Sequence, residues 1–387
     1  MSIAHRAQPG YAEARPVWGE IDLGAISHNL ERLRERAGRP VKVLAPVKAG
    51  AYGHGVVPVG RHLESLRVDG LATANLDDAL ALRDAGVQCP ILMYGSQLPE
   101  GFGMLLAHRL TPTVYSATGV RALAAAAADG DRPVNVHVKV DCGLGRLGVR
   151  PADAPALVRE VLSHPQLRLE GIYTHLPFDE PQGAEWSRRA LSGFATLVGE
   201  IEADHGMRID YAQAAASSVM TGGFPDALNT IAPGHLMFGL CPISGERAEA
   251  LGFRKALRGL RARLIHVGQR EAGDDLLGTG PGGATEARTV GVILLGMDNG
   301  YRSARGGEQA QMLVRGLLCP VLAVSAEYTV IDVTDVPGAV VGDVVTIVGE
   351  AGGKAIAVED VADQLGAPSA AYWMVGLRNV PFRYVNG

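Results

Sequence analysis

Residues 43–55 read Val43-Leu44-Ala45-Pro46-Val47-Lys48-Ala49-Gly50-Ala51-Tyr52-Gly53-His54-Gly55. The apolar segment 41–47 has the length and composition of a buried strand, and Lys48 follows it directly. Partial burial at the end of such a strand lowers the pKa of a lysine and favours the neutral, nucleophilic amine that Schiff-base chemistry needs. The glycines that follow leave room for a flat ring. A lone lysine here is more often a surface residue whose stem lies along apolar side chains, so the pattern alone leaves both interpretations open.

Strand-like and helical segments alternate on both sides of this stretch, from about residue 17 to residue 240. Predicted strands cover residues 41–47, 70–74, 90–94, 134–140 and 169–174, and predicted helices cover residues 56–66, 76–85, 119–128, 152–163 and 186–205. This alternation is typical of βαβ units around a parallel sheet, which makes the fold class α/β. About eight such units in about 225 residues favour a closed (β/α)8 TIM-type barrel over an open sheet.

Beyond about Gly252 the pattern changes to short β-rich runs separated by Gly and Pro turns. Predicted strands cover residues 260–267, 289–295, 311–318, 321–324, 329–333 and 343–348, and a short helix is predicted at residues 358–365. We therefore predict a C-terminal β domain after the barrel. The predicted division is an N-terminal extension at residues 1–15, the barrel at residues 16–248 and the β domain at residues 249–387.

The overall composition excludes several classes of partner. The chain has 387 residues, with 36 basic and 41 acidic side chains and a net charge of -5, so we expect no nucleic acid and no anionic membrane as partner. Its four cysteines are scattered without metal-ligand spacing, so we predict no metal site and reduced thiols. No apolar run is long enough to span a membrane or resembles a signal peptide, which predicts a cytoplasmic protein.

Residues 47–55 resemble the signature V-K-A-N-A-Y-G-H-G of the alanine racemase family. The resemblance extends from roughly Pro16 to Tyr384 and includes the segments 18–23 and 380–383. It implies a barrel that binds pyridoxal 5'-phosphate (PLP), a β domain, an amino-acid substrate and a homodimer with shared active sites. Within the signature, it implies that Lys48 bonds covalently to the cofactor and that Tyr52 contacts the cofactor phosphate.

Two further motifs carry implied site residues. Residues 137–148 resemble the family's K-x-D-T-G-M-G-R-L-G, which implies that Arg146 points at the substrate carboxylate or a cofactor oxygen. Lys139 is implied to support it, in some members as a carbamate. A planar guanidinium suits bidentate recognition of a carboxylate. Thr174-His175-Leu176 matches the family's T-H-F and implies that His175 lies beside the cofactor ring.

The implied phosphate site follows the last two barrel strands. Residues 215–218 align with the family's A-N-S-A, which puts Ser217 on the phosphate. Residues 232–235 align with R-P-G-I, where Gly234 and His235 are implied to offer backbone N–H groups. Backbone donors at the last strands of a barrel are a usual phosphate site.

Four positions depart from the family pattern. Ala232 replaces the arginine that contacts the cofactor's pyridine nitrogen and limits its electron-sink character. Met297 replaces the tyrosine, contributed by the partner chain, that acts as one of two bases. Ala326 lies in the segment that aligns with the family's C-M-D loop, and residues 277–280 replace its V-x-Y-G segment.

These departures leave three functions open. Racemisation removes a proton from one face of Cα and returns one to the other face, and the thioether of Met297 can do neither. The first alternative is an amino-acid racemase or epimerase with a substitute second base, such as Asp298, Tyr301 or Glu327. The second is one-base PLP chemistry, as in a decarboxylase or an aldolase-type lyase. The third is a non-catalytic PLP-binding protein, against which the length of the chain counts.

Overall fold

The computed structural model describes residues 15–95, 98–176, 183–224, 226–274, 286–302 and 310–386. The chain forms two compact units. One comprises Ala25–Arg254, and the other combines Met1–Gly24 with Lys255–Gly387. Among the described residues, no helix is both long and apolar enough to cross a membrane.

The strands are, in chain order, β1 (Val17–Asp22), β2 (Lys42–Pro46), β3 (Gly70–Thr73), β4 (Ile91–Met93), β5 (Thr113–Val114), β6 (Val134–Lys139), β7 (Leu167–Tyr173), β8 (Tyr211–Ala215), β9 (Thr230–Ile231), β10 (Leu257–Arg270), β11 (Arg288–Ile293), β12 (Gln311–Val314), β13 (Leu317–Val324), β14 (Thr329–Asp332), β15 (Val344–Ala351), β16 (Lys354–Ile356) and β17 (Phe382–Val385). The α-helices are α1 (Leu23–Ala37), α2 (Val56–Ser65), α3 (Leu76–Asp84), α4 (Phe102–Ala107), α5 (Ala117–Ala126), α6 (Ala154–Leu162), α7 (Gly183–His205), α8 (Ser217–Gly222), α9 (Gly234–Met237), α10 (Glu246–Ala250), α11 (Val358–Gln364) and α12 (Ala370–Gly376).

The unit Ala25–Arg254 is the predicted (β/α)8 barrel, which the structure confirms. Its eight parallel strands have the order β4-β3-β2-β9-β8-β7-β6-β5. Leu92 of β4 pairs with Thr111, just before β5, and this bridge closes the ring. Because helices cover the outside, the strands are buried on both faces and read as continuous apolar runs. Val43, Leu44 and Ala45 of β2 are accordingly at most 3% exposed.

The second unit is the predicted β domain. Its nine-stranded sheet has the order β16-β15-β12-β13-β14-β11-β10-β1-β17. A further pairing of β10 with β15 closes six of these strands on themselves, so β1, β16 and β17 lie outside the ring. The predicted helix at residues 358–365 is present as α11.

The structure draws the unit boundaries differently from the sequence analysis. The segment from residue 16 was assigned to the barrel, but β1 pairs with β10 and β17 and lies in the β unit. The reason lies at Gly19, where an added Cβ would stand 2.4 Å from the ring of Phe382. The absent side chain lets β17 lie against β1. At the other end, the barrel unit continues to Arg254 rather than 248.

One predicted strand of the β unit is wrong. Residues 311–318 form two antiparallel strands, β12 and β13, rather than one. Arg315 and Gly316 lie between them with φ of 50° and 81°. Two consecutive residues with positive φ are typical of a tight hairpin turn, which reverses the chain here.

Candidate active site

A cavity of about 410 Å³ opens within the barrel unit. Its wall is formed mainly by residues at or just after the carboxyl ends of the barrel strands, where TIM-barrel enzymes carry their active sites. The structure brings the predicted site residues of this unit together around this cavity: Lys48, Tyr52, Lys139, Arg146, His175, Ser217, Ala232, Gly234 and His235.

Lys48 is placed by an unusual turn. The four residues after it, Ala49 to Tyr52, all have left-handed backbone angles, with φ between 53° and 65°. Non-glycine residues adopt this conformation at an energetic cost, so the packed surroundings must hold the turn. Burial and the nearby guanidinium of Arg146 lower the pKa of Lys48. The turn therefore presents an amine with a raised neutral fraction to the cavity.

The turn also sets Tyr52 against the loop after β9. An added Cβ on Gly234 would stand 2.0 Å from the Tyr52 hydroxyl oxygen, so no other residue type fits beneath it. The Tyr52 ring meets His235 edge-on at 5.1 Å between centroids. Burial raises the pKa of Tyr52 above its ordinary range, which keeps the phenol protonated as a hydrogen-bond donor.

Ser217 completes this side of the cavity. Its side chain is buried, and its hydroxyl oxygen accepts a hydrogen bond from the N–H of Leu236 at 3.1 Å. The hydroxyl proton stays available to a ligand. Ser217 and Gly234 begin α8 and α9, so the N–H groups of these first turns have no intrahelical acceptor.

Arg146 lies at the mouth of the cavity on a loop shaped by Asp141. The Asp141 carboxylate accepts hydrogen bonds from the N–H groups of Gly143, Gly145 and Arg146 at 2.9 to 3.2 Å. Burial alone would raise the Asp141 pKa, but these donors lower it and keep the carboxylate ionised. Arg146 itself is exposed and able to meet an incoming anion.

Deeper in the cavity the electrostatics are dominated by cations. Lys139 is buried, with its Nζ 4.5 Å from the ring centroid of Tyr173. Burial, assisted by Arg146, lowers the Lys139 pKa to about 7. Burial and the neighbouring charges of Lys139 and Lys48 lower the pKa of His175 to about 3, so this imidazole is neutral at ordinary pH. The described residues that line the cavity include no carboxylate.

Ala232 lies on the apolar side of the cavity. Ala232 is 7% exposed and packs in a cluster with Leu44, Ala72, Leu92 and Tyr173. Its own N–H donates to the carbonyl of Ala215. A methyl group here leaves space but offers no polar contact.

Several lining residues were not predicted from the sequence, among them Tyr94, Tyr173 and Gln213. The available signal was the two-residue periodicity of strands, but it is interrupted directly after Gln213 by a register shift in the pairing of β8 with β9. Because the strands are apolar on both faces, the sequence alone does not show which residues of a strand point into the barrel.

Met297 and Ala326 lie in the β unit, where they are neighbours. The N–H of Met297 donates to the carbonyl of Ser325, and the N–H of Asp298 donates to that of Ala326. Met297 is 52% exposed, and Asp298, Ala326 and Glu327 are also exposed. Tyr301, in contrast, is 1% exposed. The segment 277–280 lies outside the described residues.

No cluster of three or more His, Cys, Asp or Glu side chains suited to a metal ion occurs in the part of the chain that the structure describes. The groups that line the cavity include an amine of lowered pKa, histidines whose pKa values are lowered and an arginine that can bind anions.

Comparison with known proteins covers both units. The family models for the alanine racemase N-terminal and C-terminal domains match residues 21–242 and 258–384. The alanine racemase of Desulfovibrio desulfuricans is 33% identical over 377 residues, 96% of this chain and 98% of that protein. The solved alanine racemase of Clostridium difficile matches with a TM-score of 0.87 at 24% identity, over 96% of each chain. The alanine racemase from Bacillus anthracis, solved with bound L-Ala-P, matches with a TM-score of 0.85 at 26% identity, over 96% of each chain.

Proposed function

The chain belongs to the alanine racemase family, and from this premise we propose that it is a PLP-dependent enzyme acting at Cα of an amino acid as a racemase or epimerase. The observation that carries the proposal is the close approach of Tyr52 to Gly234 on the wall of the cavity that also contains Lys48. A phosphate site and a Schiff-base lysine on one cavity are the two anchors that PLP needs.

The residues present fit this cofactor. The Tyr52 phenol, the Ser217 hydroxyl and the first N–H groups of α8 and α9 are all donors, as a phosphate requires. Lys48 has the lowered pKa that covalent attachment needs. When bound, PLP supplies the electron withdrawal that weakens bonds at Cα.

Lys48 is also the base that we assign to one face of the substrate. Because burial lowers its pKa, a larger fraction of its amine is neutral and able to accept a proton. Tyr52 is not assigned this role because burial keeps its phenol protonated.

We assign Arg146 to the substrate carboxylate. It is exposed at the cavity mouth, and the loop that carries it is fixed by three N–H bonds to Asp141. A guanidinium binds a carboxylate bidentately. Lys139 lines the same cavity and adds positive charge below a pH of about 7.

The second base is assigned to the β unit of a partner copy in a homodimer. Three candidates follow from the sequence: Asp298, Tyr301 and Glu327. Tyr301 is buried and unsuited to proton exchange with a ligand. The Asp298 carboxylate accepts a hydrogen bond from Asn379 at 2.8 Å. The exposed Glu327 makes no side-chain hydrogen bond to any described residue, so it is the candidate that we favour.

A second function is favoured by one observation. The exposed Met297 has no acid–base chemistry, so an active site completed by it alone has a base on one face only. The cofactor would then support one-base chemistry, such as decarboxylation or aldol-type cleavage.

Proton NMR of the PLP-loaded protein in D2O with D- and L-amino acids, followed by chiral analysis, separates these functions. Racemase activity gives Cα exchange together with both enantiomers, and Lys48→Ala abolishes both. The matched control is Lys354→Ala, because Lys354 is an exposed lysine on β16.

Exchange of the Cα hydrogen with full retention of configuration, or release of carbon dioxide or an aldehyde, would establish the one-base function instead. Absence of any exchange or product across the panel, with PLP bound, would overturn both enzymatic proposals.

A further inference from the structure

The side chain of Gln213 stands out on the cavity wall. The residue is 4% exposed and lines the cavity, yet its amide makes no hydrogen bond to any described residue. Its backbone is fixed, since its carbonyl accepts from the N–H of Thr174 and its strand pairs with β7 and β9. The amide therefore faces the cavity without a protein partner, which leaves its N–H and C=O groups available to a ligand atom there.

The position of Gln213 in the barrel indicates which atom of PLP it contacts. Around the barrel, Lys48 follows β2, and Gln213 lies on β8, with β9 between the two strands. The ring nitrogen of PLP is opposite the ring carbon whose substituent bonds a lysine, so it is directed away from Lys48. Ser217, four residues after Gln213 on the same segment, belongs to the phosphate side.

The other polar groups suit other atoms. Lys139 and Arg146 are cations and favour anionic oxygens over a neutral nitrogen. His235 packs edge-on against Tyr52. Ala232, beside the apolar cluster, has no polar side-chain atom. Compared with these four residues, the neutral amide of Gln213 is the best match for a pyridine nitrogen.

Resting on the proposed function, we propose that Gln213 donates an amide N–H to the ring nitrogen of PLP and keeps that nitrogen unprotonated. The charges agree with this protonation state. The described lining has no carboxylate to stabilise a pyridinium, while the positive charge of Arg146, and of Lys139 when it is protonated, disfavours one. An unprotonated ring withdraws electrons less strongly, so this contact restricts the reaction to the easiest bond, Cα–H.

The test uses the holoprotein with PLP labelled with 15N at the ring nitrogen. In the wild type we expect the NMR shift of an unprotonated, hydrogen-bonded nitrogen. Gln213→Glu puts a carboxylate at the same place and is expected to give the large upfield shift of a protonated nitrogen. Gln213→Leu keeps the nitrogen unprotonated, removes the hydrogen-bond contribution to its shift and weakens PLP binding roughly tenfold. Thr113→Val is the control, since Thr113 is buried but bonds Tyr173 instead of lining the cavity.

The outcomes are distinct. A wild-type nitrogen that is protonated, or a shift that is the same in both Gln213 variants as in the wild type, overturns the assignment while leaving PLP binding intact. A shift that moves equally in Thr113→Val shows a structural effect and also overturns it. A wild-type protein that binds no PLP overturns the proposed function itself.

Discussion

The hydroxyl oxygen of Tyr52 lies so close to Gly234 that a Cβ on residue 234 would be 2.0 Å away from it. The two residues come from opposite ends of the barrel sequence, after β2 and β9, which are adjacent strands. Tyr52 is held on its other side by the ring of Phe238 at 5.5 Å. The ring therefore has little room to retreat, and glycine at residue 234 is a steric requirement.

We expect Gly234→Ala to displace the Tyr52 hydroxyl and to destabilise the protein by about 1–3 kcal/mol, the usual effect of an overpacked site. PLP binding, measured by absorbance titration of the apoprotein, should weaken at least tenfold. Gly199→Ala is the control, because Gly199 lies in α7 with open space around it. That control should be neutral or slightly stabilising. Unchanged PLP affinity in Gly234→Ala would show that Tyr52 does not need its present position.

In the left-handed turn after Lys48, the effect of backbone conformation on stability can be tested without a change in side-chain packing. Gly50 has φ of 65°, and nothing lies within 4 Å of a Cβ built on it. Gly50→Val should lower the free energy of unfolding by about 1–2 kcal/mol, because a β-branched residue is strained in this region. Gly50→Asn should be much milder, since asparagine tolerates it best among non-glycine residues. Urea denaturation of the two variants compares them, and equal losses would contradict the backbone explanation.

The same turn illustrates what the sequence could and could not predict. Segment 41–47 identified the strand and the lysine after it, and the alternation of segments identified the barrel. The left-handed conformation of Ala49 and Ala51 was not predictable, because alanine favours the right-handed region and only the surrounding structure imposes the other. Local preference was overridden by tertiary packing.

Strand pairing between segments far apart in the chain was also not predictable from the sequence. The segment of β1 was not predicted as a strand, and its partners in β10 and β17 are about 240 and 360 positions away. Gln213 was missed for a related reason. Its inward direction depends on how β8 faces the barrel axis, and the alanines that flank Gln213 give no amphipathic pattern.

The buried Lys139 predicts a pH dependence of stability in the apoprotein. Burial lowers its folded-state pKa from 10.5 to about 7, so between these values the unfolded chain binds more protons than the folded protein. The free energy of unfolding should therefore rise with pH across this window. Below the window, the folded protein bears the full cost of burying the Lys139 charge. Lys139→Met should stabilise the apoprotein by about 4 kcal/mol near pH 6.5 and much less near pH 9.5. Urea denaturation at the two pH values tests this, and a parallel pH slope in the variant would contradict it.

Two buried histidines predict acid lability. The folded-state pKa values are about 4 for His54 and about 3 for His175, in both cases lowered mainly by burial, while the unfolded values lie near 6.5. Below pH 6.5 the unfolded state binds more protons, so stability falls as pH falls. Between about pH 7 and pH 5 the combined loss should be about 4 kcal/mol, a large part of the stability of an ordinary domain. Denaturation of His54→Gln should show a shallower acid slope, and the exposed His266→Gln is its control.

The identity of the second base can be tested on the β unit. Glu327 is exposed and makes no side-chain hydrogen bond to any described residue, whereas Asp298 bonds Asn379 and Tyr301 is buried. If Glu327 of the partner exchanges a proton with Cα, Glu327→Gln should slow racemisation by about 10²–10⁴, the usual contribution of a positioned acid or base. Asp298→Asn and Tyr301→Phe should stay within a few-fold of the wild type.

The measurement that identifies the base is the pattern of deuterium incorporation into each enantiomer, in addition to the rate of racemisation. Loss of one base leaves Lys48 acting on its own face, so in D2O the Glu327→Gln variant should still exchange Cα hydrogen in one enantiomer, with retention. Met297→Tyr should then restore interconversion in that background, because a phenol at this exposed position returns an acid–base group to the same surface. Equal loss of exchange in both enantiomers would mean that Glu327 supports the fold or the dimer instead of transferring a proton.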